Sequence, residues 1–189
     1  MSENCASPTL RPGRTYAGVV IPLPEPTAQE LRDWRESFGD PRARTVPAHI
    51  TLMISPVERN WEQLSAHVRD VAARCEPFHV QLSGTGTFRP VTPVVYLRVG
   101  RGHQQCVTLH QMLHARSVES ASPFDYHPHV TLAHGGSQET LDRAQETLRT
   151  YRAGFLVDGV HLYECAHDGS WDLREHIPLG LPAGGHGPH

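Results

Sequence analysis

Apolar positions along this chain follow two periods, and each switch between them marks the end of an element. Tyr16-Ala17-Gly18-Val19-Val20-Ile21-Pro22-Leu23 is β-branched and apolar, closed by Pro22, Pro24 and Pro26, which predicts a strand. Leu31, Trp34 and Phe38 then recur at helical spacing, with Thr27 as N-cap and Glu30 as its capping-box partner, predicting a helix from 27 to about 38. After a loop over 39–47, His49 to Ser55 reads as a strand. Trp61, Leu64, Val68 and Val71 place a second helix within 58–75, with His67 on its surface. Phe78-His79-Val80-Gln81-Leu82 returns to the alternating pattern and leads into a loop over 83–90. A further strand runs from Pro93 to Val99, and a third helix from Gly102 to about Arg116 carries Val107, Leu109, Met112 and Leu113. A loop over 117–126 leads to another strand at His129. Ser137 caps a fourth helix, 138–151, along Leu141, Ala144 and Leu148. Phe155 to Glu164 reads as one strand, and a turn at His167-Asp168-Gly169-Ser170 folds it against Trp171 to Leu179.

Read outward from His49 and from His129, this order repeats as helix, strand, helix, strand, strand. The two central strands also share a pattern, His49-Ile50-Thr51-Leu52 and His129-Val130-Thr131-Leu132. In a strand, residues i and i+2 project from the same face. Each strand therefore offers a polar His-Thr face and an apolar packing face built from Ile50 and Leu52 or Val130 and Leu132.

Composition narrows the class. The 189 residues, 38% hydrophobic and 20% charged, suffice for one compact domain over 14–180, with a flexible N-terminus over 1–13 and a disordered Gly- and Pro-rich tail over 181–189. No apolar run approaches the roughly 20 residues of a spanning helix. A cytoplasmic protein, acting as a monomer and without membrane contact, is expected. The net charge of −3 argues against charge-driven binding of long nucleic acid and favours a small or terminal phosphate ligand. Cys5, Cys75, Cys106 and Cys165 are scattered, with no Cys-x-x-Cys pair, so neither a zinc ribbon nor a disulfide framework is indicated. All 17 basic residues are arginine. Lysyl-adenylate, phosphate-loop lysine and Schiff-base chemistry are thereby excluded together.

Histidine gives or takes a proton near neutral pH, and threonine donates a hydrogen bond to an anionic oxygen. Two His-Thr pairs facing each other supply a general base, a general acid and two oxyanion donors. That set suits in-line displacement at phosphorus and calls for no metal or other cofactor. The paired motif, with Pro47 and Pro128 just upstream, resembles the signature of the two-histidine (2H) phosphoesterases, in particular the bacterial 2′-5′ RNA ligase and cyclic phosphodiesterase branch. The resemblance covers roughly residues 15 to 180. It implies an α+β, two-lobed duplicated fold, with antiparallel sheets lining a central cleft and helices packed outside. It also implies a phosphoesterase or ligase acting on 2′,3′-cyclic phosphate or 2′-5′ phosphodiester bonds of RNA ends or small nucleotides. His49 and His129 would be acid and base, and Thr51 and Thr131 would hold the phosphate oxygens.

Substrate-binding candidates follow. Arg42 and Arg44 precede the first motif. Phe88 ends a strand and loop that in the family carries an aromatic residue near the cleft, and Tyr126, with Phe124, is a candidate wall. His134 stands where relatives place a basic residue after the second motif. Three alternatives accompany this assignment. One is a nucleotide-binding module of the same fold without turnover. A second is a metal site or histidine-triad hydrolase around His127, His129 and His134, but Thr131 occupies the triad's third position. The third, a metal on His103, His110 and His114, lacks the His-Glu-x-x-His glutamate, because Gln111 replaces it. Gly84-x-Gly86 lacks the lysine and following helix of a phosphate loop.

Overall fold

The computed structural model describes residues 15–57, 60–115, 125–166 and 169–180. Phe124, the His167-Asp168 corner and both chain ends lie outside the described residues. The elements run β1 (Tyr16–Pro22), α1 (Thr27–Ser37), β2 (His49–Pro56), α2 (Trp61–Ala73), β3 (Phe78–Thr87), β4 (Val94–Val99), α3 (His103–His114), β5 (His129–His134), α4 (Gln138–Thr147), β6 (Arg152–Val157), β7 (Gly159–Cys165) and β8 (Trp171–Pro178). The expected α+β class holds. All eight strands belong to one antiparallel sheet, ordered β6-β3-β4-β5-β2-β1-β7-β8.

The two lobes are the two halves of that sheet, β2-β1-β7-β8 and β5-β4-β3-β6. A single residue pair joins them, Ile50 opposite Val130. The repeat read from the sequence holds for helix, motif strand and helix. The trailing strands cross between halves: β3 pairs with β4 in the second half, and β7 returns to pair with β1 in the first. Phe155 to Glu164 is consequently two strands rather than one. Asp158 interrupts the run, so that β6 pairs with β3 while β7 pairs with β1 and β8.

The helices cover one face. Ile50, Leu52, Val130 and Leu132 are at most 1% exposed there, packed in one core with Leu31, Val68, Leu109 and Leu141. Burying such side chains contributes about 1.5–3 kcal/mol each, which anchors both motif strands by their apolar sides. The opposite face is left to the His-Thr pairs.

Several local readings change. Thr27 is already helical, and the first turn's Gln29 N–H is satisfied by Glu25 Oε2 at 2.9 Å. Glu30 instead accepts from the Tyr151 hydroxyl at 2.9 Å. In α2, Asn60 caps the Glu62 and Gln63 amides, and His67 is half-buried at the seam with α3, its Nε2 donating to the Leu113 carbonyl at 3.1 Å. The stripe buried along α3 is Cys106, Leu109 and Leu113. The segment 83–87 continues β3 instead of forming a loop. Gly84 (φ +64°) supplies a bulge between Leu82 and Thr85, a backbone conformation that side chains disfavour. Ser137 caps α4 as expected, its Oγ accepting from the Thr140 amide at 3.1 Å.

Candidate active site

Antiparallel pairing about Ile50 and Val130 puts His49 on the Thr131 side of the seam and His129 on the Thr51 side. Diagonal neighbours across such a pair sit about 7–8 Å apart, room for one phosphoryl group between two imidazoles. His49, Thr51, His129, Thr131, Arg42 and His134 all line one cavity of about 60 Å³.

Each motif histidine is oriented in the same way. His49 Nδ1 lies 2.7 Å from the Pro47 carbonyl, and His129 Nδ1 lies 2.7 Å from the His127 carbonyl. A carbonyl only accepts, so both Nδ1 atoms carry the proton and both Nε2 atoms keep their lone pairs. The Thr51 hydroxyl donates to His49 Nε2 at 3.1 Å. The tautomer a general base requires is thus set by local backbone, two residues upstream in both motifs.

Burial lowers both imidazoles below the ordinary histidine range. His49 is brought down to about 4, chiefly by desolvation, with Arg35, His129 and Arg42 adding to the effect. His129 is lowered chiefly by desolvation; its hydrogen bond to the His127 carbonyl opposes this and the charge of the His127 imidazole adds to it. Both are neutral at pH 7. The stability consequence follows from linkage. An unfolded histidine takes up a proton near pH 6.5 and the folded His49 does not, so its contribution is complete above about pH 6.5 and is lost as pH falls toward 4. After solvent screening the loss is on the order of 2 kcal/mol. Urea unfolding at pH 7.5 and pH 4.5 should show His49→Gln losing less stability between the two conditions than the unaltered chain. Equal losses would contradict the assigned depression.

The surroundings sort the remaining candidates. The buried Arg35 donates to Asp40 Oδ2 through Nε and Nη2 at 3.0 and 2.8 Å, and to the Val46 carbonyl through Nη1 at 2.7 Å. Asp40 Oδ1 also accepts from the Arg42 amide at 2.9 Å. This pins the loop that aims Arg42 into the cavity. Arg42 Nη2 donates to His134 Nδ1 at 3.3 Å, which fixes that imidazole as an acceptor there. A permanent cation therefore reaches the site from the first half, at the position where His134 replaces the basic residue expected after the second motif. Arg44 does not join it; it is exposed and bidentate with Glu36 at 2.9–3.0 Å.

Tyr126 is likewise not a cleft wall. It packs against the core on the helix side, donates to the Thr51 carbonyl at 2.8 Å and stacks on His110 at 3.9 Å. His110 Nδ1 donates to the Leu52 carbonyl at 2.7 Å. β2 leaves β5 and bulges against β1 here, and these two side chains take the carbonyls its ladder leaves unpaired. No group of three or more His, Cys, Asp or Glu side chains among the described residues is placed to hold a metal.

Phe88 borders the site, its ring edge-on to His129 at 5.0 Å and tilted on Tyr96 at 4.4 Å. Two neighbours were not singled out from the sequence. The Trp171 ring lies 4.9 Å from His49 and lines the cavity. The Tyr96 ring lies 5.2 Å from His129.

Residues 23–169 match the family model described as the 2′-5′ RNA ligase superfamily. The chain belongs to that superfamily. A relative from Oceanobacillus iheyensis, provisionally named a phosphoesterase, is 31% identical over 170 residues, covering 86% of this chain and 97% of its own. One from Bacillus licheniformis, named in the same way, is 25% identical over 168 residues, covering 86% and 98%. Among solved structures, E. coli LigT complexed with 3′-AMP superposes with a TM-score of 0.66 at 21% identity, over 88% of this chain and 98% of that one. A protein from Thermus thermophilus gives 0.60 at 22% identity, over 90% and 100%. These likenesses establish that this superfamily member has the same fold.

Proposed function

We propose that the chain is a metal-independent phosphoesterase acting on 2′,3′-cyclic phosphate or 2′-5′ phosphodiester bonds of RNA ends or small nucleotides. The observation that carries this is the Ile50–Val130 register, which sets two imidazoles and two hydroxyls of remote segments around one cavity beside Arg42.

One neutral imidazole accepts the proton of the attacking hydroxyl or water at Nε2 while the new P–O bond forms. The phosphodiester anion favours the protonated form of the other, which gives its proton to the departing oxygen as the old P–O bond breaks. Thr51 and Thr131 donate to the nonbridging oxygens, and Arg42 offsets their charge. Reversal exchanges the two histidine roles, so hydrolysis and ligation share one arrangement. Binding of 3′-AMP, ATP and NADP+ by LigT supports a nucleotide ligand for this fold.

The test is turnover of a panel by the purified chain: 2′,3′-cyclic mononucleotides, RNA with a cyclic phosphate end, 2′-5′ dinucleotides and ADP-ribose cyclic phosphate, with product regiochemistry determined. At least one should be consumed, at a rate a chelator leaves unchanged. Consumption of none, or loss of activity with chelator, would sink the assignment.

A further inference from the structure

A groove of about 570 Å³ lies apart from the motif cavity and shares no lining residue with it. It is lined by Arg98, Arg149 and Arg152, with Ser83, Gly84 and Gln145 among the others. Arg98 lies opposite His129 in the β4–β5 register, so both side chains project from the same face. Arg98 is also near enough to His127 to help lower its pKa. Two strands further out, Arg152 lies opposite Ser83 in the β3–β6 register. At about 4.8 Å between strands, Arg98 stands about 5 Å from the His129 strand and Arg152 about 14 Å from it.

The acids that line the groove are already engaged: Asp142 with Arg89 at 2.7 Å and Glu146 with Arg149 at 3.1 Å. Among the described residues, neither Arg98 nor Arg152 has a carboxylate partner; Arg152 donates to the Tyr151 carbonyl at 3.0 Å. In the other half of the sheet, the corresponding row among the described residues carries no arginine. Outward from Thr51 that row is Val20, His161 and His176. Two guanidiniums without a carboxylate partner among the described residues, on one side of the reacting groups in a chain of net charge −3, form a one-sided anion track. Guanidinium binds phosphate through paired donors.

A single phosphoryl group held between the motif histidines does not reach Arg152. We infer that this chain takes an oligonucleotide, whose further backbone phosphates lie on Arg98 and Arg152 when the reacting phosphate is in the motif cavity. The inference rests on the phosphoesterase assignment above and deepens it, from a phosphodiester in general to a strand end.

The experiment compares kcat/KM for a 2′,3′-cyclic mononucleotide with that for a hexaribonucleotide ending in the same cyclic phosphate. The unaltered chain should prefer the hexamer by about tenfold or more, increasingly so at low salt. In the Arg98→Gln, Arg152→Gln double variant that ratio should collapse toward unity through KM. Arg69→Gln, which removes a guanidinium paired with Glu175 elsewhere, should keep it. Absence of a preference, or a ratio kept in the double variant because both substrates lose equally, overturns the track. Should nothing be turned over, the phosphoesterase assignment fails on its own, and fluorescence anisotropy of a labelled RNA hexamer decides the track: weakening by about tenfold in the double variant upholds it, unchanged binding overturns it.

Discussion

Replacing either motif histidine with alanine should lower turnover of the preferred phosphodiester by about 10²- to 10⁴-fold, the range a positioned acid or base supplies. Each imidazole is held by a 2.7 Å bond to a carbonyl two residues upstream, so removing the ring leaves the strand's pairing and its apolar side in place. The expected signature is a collapse in kcat with circular dichroism and thermal unfolding close to those of the unaltered chain. His49→Ala and His129→Ala together should be little worse than either alone, because acid and base act on one displacement and their losses do not add. Nucleotide affinity measured by calorimetry should survive, since Thr51, Thr131 and Arg42 remain. Retained turnover in either single variant would refute paired acid–base catalysis. Affinity that persists where the unaltered chain also turns nothing over would favour the binding-module alternative.

The second large effect is expected at Gly86. A Cβ there would lie 2.6 Å from Tyr96 Cζ, and the Tyr96 ring has nowhere to go, with Phe88 at 4.4 Å and His129 at 5.2 Å. Gly86→Ala should therefore destabilise by about 3 kcal/mol, the upper range for overpacking, or about 6–12 °C in Tm for a chain of this size. Turnover should fall with it, because a displaced Tyr96 displaces His129. Gly154→Ala is the control: its Cβ would meet only the Val80 carbonyl, at 3.7 Å. Equal behaviour of the two variants in a thermal melt would remove the packing account of Gly86.

What could be read from the sequence was whatever depends on local periodicity. The two-residue repeat of a strand assigns His49 and Thr51 to one face and Ile50 and Leu52 to the other with no knowledge of partners, and the structure agrees. Readings that depend on register between remote strands were out of reach. Trp171 reaches His49 from β8, three strands away from β2 in the sheet, with its ring lying over Gly18 of β1. Arg42 and His134 meet although 92 residues separate them. Tyr126 misled because it precedes its strand, where alternation assigns no face, and it turned to satisfy a backbone carbonyl of β2. Thr27 lost its capping role to Glu25, a competition that propensity does not rank. Asp158 split an apolar run that alternates acceptably on both sides, because the two pieces serve different halves of the sheet.

The crossing of the trailing strands bears on how the molecule can be taken apart. A cut between β3 and β4 would not yield one lobe per fragment: the first piece carries β3, which belongs beside β4, and the second carries β7 and β8, which belong beside β1. The lobes are clasped rather than merely abutted. Neither fragment can complete its own sheet, and a reaction centre shared across the seam comes into being only once the whole polypeptide has interlaced.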